Sequence, residues 1–126
     1  DIRINLEGLD VNEPDFLRLS KFAADLGLDV LVETHTAEEI HIANAAGSRL
    51  VGINTRDLQT FKTDLRLFET MSHLLSDETI KVAESSVKKP QDVARYWNAG
   101  ANVVLVGQAL VTGDPSFLIP EFINET

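Results

Sequence analysis

Polar or Gly residues able to grip a ligand follow short apolar runs at four places in the chain. Val30-Leu31-Val32 leads into Glu33-Thr34-His35, and Leu50-Val51 leads through Gly52-Ile53 into Asn54-Thr55-Arg56-Asp57-Leu58. Lys81-Val82-Ala83 leads into Glu84-Ser85-Ser86, and Val103-Val104-Leu105-Val106 leads into Gly107-Gln108. If the apolar runs are parallel strands, these polar groups share the C-terminal rim of a sheet, where α/β sheets and barrels keep their ligands. A fixed carboxylate and a fixed amide suit proton transfer and the steadying of developing charge. Ser and Gly at strand-to-helix turns can aim backbone N–H groups at an anion.

Each residue also has a plainer reading. Glutamates are usually solvated, Asn favours turns, Arg56 can pair with the adjacent Asp57, and Ser85 and Gly107 can simply be turn residues. His35, two residues after Glu33, reads as a hydrogen-bonded rim residue rather than a catalyst. His41 and His73 lack the spacing of metal ligands, so no metal is expected. No G-x-G-x-x-G or Walker motif is present, and no cofactor is expected. Lys88-Lys89, near a helix start, reads as a solvated pair.

The elements that would position these groups alternate between strand and helix. Asn12 can cap a helix starting at Glu13-Pro14, with Phe16, Leu17, Leu19, Phe22, Ala23 and Leu26 on one side and Gly27 as its stop. Thr36 with Glu39 reads as a capping box for a helix that carries Ile40, Ala43 and Ala46 and ends at Gly47. Leu65, Phe68, Met71, Leu74 and Leu75 outline a third helix, and Pro90 opens a fourth that Gly100 ends. A short turn of helix is expected from Gln108 to Val111, and a terminal one from Ser116 to Ile123. Strands are expected near Ile2–Leu6, Asp29–Glu33, Leu50–Asn54, Thr79–Ala83 and Asn102–Val106. The echo between Ala46-Gly47-Ser48-Arg49-Leu50-Val51 and Ala99-Gly100-Ala101-Asn102-Val103-Val104 marks repeated βα units. Short strands separated by helices imply parallel pairing with right-handed crossovers. Phe16, Phe22, Phe61, Phe68, Trp97 and Met71 are expected in the core or in helix packing.

Composition bounds the rest. The 126 residues, 44% of them hydrophobic, suit one domain with a real core spanning 1–126. No cysteine is available for a disulfide, a thiolate metal site or a thiol nucleophile. Apolar runs fall far short of a bilayer span and no basic leader stands at the N-terminus, so a soluble protein is expected. A net charge of −9 disfavours nucleic acid and acidic membranes as partners.

In order and spacing, Leu31-Val32-Glu33-Thr34-His35, Gly52 to Leu58, Ala83-Glu84-Ser85 and Val104-Leu105-Val106-Gly107 resemble the C-terminal half of indole-3-glycerol-phosphate synthase, over nearly the whole chain. The resemblance implies an α/β fold of parallel βα units, half of a TIM (βα)8 barrel, either curved as in the barrel or opened and self-associated. It implies a cytoplasmic enzyme of tryptophan synthesis. Its reaction closes the indole ring of a carboxyphenylamino-deoxyribulose phosphate with loss of carbon dioxide and water. Position by position, it makes Glu33 and Asn54 the catalytic residues and Arg56, Glu84 and Ser85 substrate-binding. The backbones of Ser85-Ser86 and Gly107-Gln108 become the phosphate cradle.

Two departures qualify the match. The family usually has Gly where Ser86 stands, so a Cβ there is expected to crowd the cradle and weaken phosphate binding. The family's first strand in this half is almost wholly apolar, whereas Asp1-Ile2-Arg3-Ile4-Asn5-Leu6-Glu7 alternates, as a half-exposed edge strand does. An inward polar row facing a barrel interior is the alternative. The family's N-terminal half supplies a lysine general acid, a second lysine, a further glutamate and much of the anthranilate pocket. None is found here, so the chain alone is expected to lack turnover. Its partner is expected to be that half-barrel or another copy of itself. A non-catalytic half-barrel scaffold and another phosphosugar-processing barrel are the competing readings.

Overall fold

Strand β1 (Ile2–Asn5), helix α1 (Pro14–Asp25), β2 (Val30–Thr34), α2 (Ala37–Ala45), β3 (Leu50–Asn54), α3 (Arg66–Met71), β4 (Ile80–Glu84), α4 (Pro90–Asn98), β5 (Val103–Leu105), α5 (Gln108–Thr112) and α6 (Pro115–Ile123) follow one another in the computed structural model. The model describes residues 2–6 and 14–125; the expected Asn12 cap lies outside them. The local signals work as their chemistry requires. Thr36 Oγ1 accepts the Glu39 N–H at 3.2 Å, capping α2. Glu39 reaches back to the N–H of His35 rather than that of Thr36, a capping box displaced by one residue. Gly47 and Gly100, the shared positions of the sequence echo, both end helices at positive φ (68° and 92°), where a Cβ would be strained. The third helix tightens after Met71 into a 3₁₀ turn, Ser72–Leu74.

All strand neighbours pair parallel, in the sequential order β1-β2-β3-β4-β5. Right-handed crossovers in an order that never reverses put the helices on one side of the sheet. A doubly wound sheet would reverse direction partway. Ile4, Val32, Val51, Ile53 and Ala83 bury their side chains against Phe16, Ile40, Ala43, Phe68, Val93 and Tyr96 on the helical side. The opposite face carries the rows Asn5, Glu33, Gly52, Val82, Val103 and Asn54, Glu84, Leu105, set by the strand register.

That second face is concave. Arg3 on β1 comes within 3.7 Å of Glu84 on β4, although β1 and β4 would stand about 14 Å apart in a flat sheet. Side chains stand roughly perpendicular to a sheet, so they converge this way only across an inward curve. The fold is an arc of a βα barrel, with its helices outside. Strand β1 is an edge among the described residues, and its alternation has a clear cause. Ile4 and Leu6 are buried, while Arg3 and Asn5 are exposed on the concave side.

Three of the aromatic residues expected in the core are not there. Phe16, Phe68 and Met71 are buried, but Phe22, Phe61 and Trp97 are 61%, 67% and 47% exposed. On α1 the apolar arc is wider than the sheet beneath it. Phe16 and Ala23 face the core, Leu19 and Phe22, turned further round the helix, remain bare, and so does Leu26 in the turn after it. Among the described residues, no helix is long and apolar enough to cross a membrane.

Candidate functional site

Two buried carboxyl groups meet on the concave face because a glycine leaves them room. Gly52 stands beside Glu33 in the register, and the Glu84 side chain lies across it, filling the space a Cβ on Gly52 would need. Glu33 and Glu84 are each 2% exposed. Burial pushes the Glu84 carboxyl up to about 7; repulsion from the Glu33 carboxylate and a hydrogen bond to it add to the rise, and the Arg3 guanidinium opposes it. Glu33 Oε2 and Glu84 Oε1 are buried without a hydrogen-bond partner. Arg3 Nη1 stands 3.2 Å from Glu33 Oε2 and 3.7 Å from Glu84 Oε2.

Asn54, at the end of β3, fixes this pair from the next position. Its Nδ2 donates to Glu33 Oε1 at 3.0 Å, which settles which end of the amide faces the carboxylate. Its Oδ1 accepts from Ser85 Oγ at 2.8 Å and from the Arg56 backbone N–H at 3.1 Å. One amide therefore joins the ends of β2, β3 and β4. It also leaves a carboxylate, an amide and a hydroxyl in fixed relation, a set suited to orienting a polar substrate and moving a proton. The same Glu33 Oε1 lies 3.4 Å from His35 Nε2, and His35 Nδ1 lies 3.5 Å from Glu39 Oε2.

The Ser85-Ser86 turn is held from beneath by hydroxyl groups. Both serines have positive φ (70° and 65°), uncommon for residues with a Cβ and concentrated at functional sites. Thr55 Oγ1 donates to the Glu84 carbonyl at 2.9 Å and meets the hydroxyls of Ser86 and, at 2.9 Å, Tyr96. The Tyr96 hydroxyl also lies 3.2 Å from the Ser85 carbonyl. Burial raises the Tyr96 phenol above its ordinary value, keeping it a neutral donor. Ser86 thus takes the backbone conformation that glycine would take freely, and its hydroxyl is directed to Thr55.

Arg56 does not pair with Asp57. Its Nη2 donates to Gln108 Oε1 at 2.9 Å, linking the loop after β3 to the start of α5. Asp57 instead accepts the N–H groups of Gln59 and Thr60, which hold its carboxyl below the usual range. Gly107 precedes α5, and Lys88 and Lys89 donate their backbone N–H groups to Asp92 Oδ2. Arg3, Asn54, Arg56, Glu84, Ser85, Ser86, Lys88, Gly107 and Gln108 all line one cleft of about 860 Å³, a size that suits a small molecule. Glu33 closes in on it through Asn54 and Arg3. Seven of the eight residues singled out in the sequence therefore line one opening, and the eighth, Glu33, is hydrogen-bonded to one of them, Asn54.

Four contributors were not singled out. A glycine inside an apolar strand signals close approach of another group, and Gly52 carried that signal. Arg3 lay in the alternating first strand, whose inward polar row has this residue at its head. Thr55 and Tyr96 had no sequence signal, since their hydroxyls meet only through the fold.

The family model described as indole-3-glycerol phosphate synthase matches residues 7–119. The indole-3-glycerol phosphate synthase of Leifsonia xyli subsp. xyli is 49% identical over 104 residues, covering 82% of this chain and 40% of the relative. That of Paenarthrobacter aurescens is 46% identical over 114 residues, covering 90% and 41%. The chain thus spans about two fifths of the length of the curated relatives it matches. Among solved structures, 3-hexulose-6-phosphate synthase from Salmonella typhimurium superposes with a TM-score of 0.79 at 17% identity, over 98% of this chain and 59% of that one. Thiamine phosphate pyrophosphorylase from Pyrococcus furiosus gives 0.73 at 13% identity, over 98% and 57%. These two likenesses concern the fold alone. Sequence over most of its length places this chain in the indole-3-glycerol phosphate synthase family.

Proposed function

We propose that this chain supplies the C-terminal strand ends of an indole-3-glycerol-phosphate synthase site. The reaction closes the indole ring of 1-(2-carboxyphenylamino)-1-deoxyribulose 5-phosphate with loss of carbon dioxide and water. One group must give a proton to departing oxygen, and another must receive one as the ring becomes aromatic. Glu33, held by Asn54, is the proton-handling carboxylate, and Asn54 is the amide that fixes it. Glu84, Ser85 and Arg56 bind the ribulose chain, and the backbones of Ser85-Ser86 and Gly107-Gln108 receive the phosphate. The observation that carries this reading is the convergence of three strand ends: Asn54, Glu84 and Ser85 line one cleft, and Glu33 is bonded to it through Asn54. Its setting is cytoplasmic amino-acid biosynthesis.

Turnover on this reading requires the N-terminal half-barrel, which brings the catalytic lysines and covers the concave face and the β1 edge. The test is turnover by the chain alone and mixed with a matching N-terminal half. The exposed apolar residues favour a second reading, in which the chain is a non-catalytic scaffold that pairs with another copy. Val103 and Leu105 lie bare on the concave face, Leu19 and Phe22 on α1, and Leu26 just after it. Sedimentation equilibrium separates the two: a concentration-dependent dimer that an N-terminal half cannot displace would favour the scaffold.

A further inference from the structure

Glu84 lines the cleft, Glu33 lies behind Asn54, and one guanidinium, Arg3 on β1, reaches both carboxyl groups. We infer that Arg3 is a positioning residue of this site: it ties Glu33 to Glu84 and sets how much negative charge the pair presents to a ligand. Three observations carry this. Arg3 stands on the concave face in line with Asn5 and Glu33, so its side chain enters the cleft rather than the solvent beyond the sheet edge. Its Nη1 is within ion-pair distance of both carboxylates, 3.2 Å from Glu33 and 3.7 Å from Glu84. The oxygens left without hydrogen bonds, Glu33 Oε2 and Glu84 Oε1, are buried, and an uncompensated charge there would be costly.

The groups facing the pair can be named by element. Strand β1 supplies Arg3, the segment after β2 supplies His35 against Glu33, and β3 supplies only the neutral Gly52 and Asn54. Arg56 is turned to Gln108, and Lys88, which also lines the cleft, makes no ion pair with either carboxyl group. Arg3 is therefore the permanent cation of the pair among the described residues. It opposes the rise of the Glu84 carboxyl. Its side chain is 57% exposed, so part of its effect is screened by solvent.

The inference rests on the proposed function only for its catalytic meaning, and its test needs no substrate. Glutamate side-chain carbons are labelled with ¹³C and titrated by NMR in the full chain and in its Arg3→Met and Arg3→Lys variants. One carboxyl should titrate near neutrality in the unaltered chain. Its midpoint should rise by about one pH unit in Arg3→Met and stay within about 0.3 unit in Arg3→Lys, which keeps the charge. A midpoint in Arg3→Met unmoved by more than about 0.3 unit overturns the inference, as does an equal rise in both variants. Should Arg3→Met fail to fold, raising salt from about 20 mM to about 1 M on the unaltered chain reads the same contact. Salt screens the half-exposed Arg3 more than the buried pair, so the midpoint should rise, and a fixed midpoint overturns the inference. An Arg3-dependent titration without turnover in the reconstituted barrel would sink the functional reading alone. Turnover with no Arg3 dependence of the titration would sink this inference alone.

Discussion

The Glu84 carboxyl lies directly over Gly52, in the volume a Cβ would occupy, and this is how it meets Glu33 one strand further on. The pairing of two acids from β2 and β4 thus depends on a residue with no side chain in β3.

Gly52→Ala tests that dependence. The methyl group and the Glu84 carboxyl cannot share the space, and the clash should cost about 1–3 kcal/mol of stability. Urea denaturation measures it. The neutral-pH carboxyl titration should also fall toward the ordinary glutamate range, because Glu84 is forced away from Glu33.

Asn54→Ala removes three contacts at once, leaving Glu33 Oε1, Ser85 Oγ and the Arg56 N–H to find water. Stability should fall by about 1–3 kcal/mol. In a barrel completed by an N-terminal half, kcat should fall by roughly a hundredfold or more, because Glu33 loses its orientation. Steady-state kinetics on the completed barrel checks this.

The pH dependence follows from Glu84. Its folded value, about 7, exceeds the ordinary 4.5, so between these values the folded chain binds more protons than the unfolded one. The stabilisation is full below about 4.5 and is lost as the pH rises through 7, with a slope approaching about 1.4 kcal/mol per pH unit. Denaturation at about pH 5 and about pH 8 should show the unaltered chain losing more stability than Glu84→Gln, which has no proton to lose.

Ser86→Gly sets two effects against each other. Glycine relieves the left-handed backbone at φ 65°, a gain of about 0.4–1 kcal/mol, and forfeits the buried contact with Thr55, a loss of about 1 kcal/mol. Thermal denaturation should show a net change under about 1 kcal/mol in either direction.

Much of the frame was legible because its signals are local. Thr36 caps, Gly47 and Gly100 stop helices, and strand ends carry polar residues whether or not the rest of the fold is known. Glu33, Asn54 and Ser85 could be placed on one rim because strand ends in a parallel sheet point the same way. Side-chain direction beyond that rim was not legible. That Arg56 turns to Gln108 rather than Asp57, and that Glu84 crosses Gly52, depends on how far the sheet curves. Exposure of Phe22 and Trp97 was hidden for a related reason: an apolar residue on a helix is buried only if something lies over that part of the arc.

The central claim is that these strand ends are part of an indole-3-glycerol-phosphate synthase site. The most direct measurement is indole-glycerol phosphate formation from the carboxyphenylamino-deoxyribulose phosphate, followed by product fluorescence. It compares the chain alone, the chain mixed with a matching N-terminal half-barrel, and the same mixture carrying Glu33→Gln. The account predicts turnover only in the unaltered mixture. No turnover there, with an N-terminal half proven active beside its native partner, or full turnover with Glu33→Gln, would contradict it.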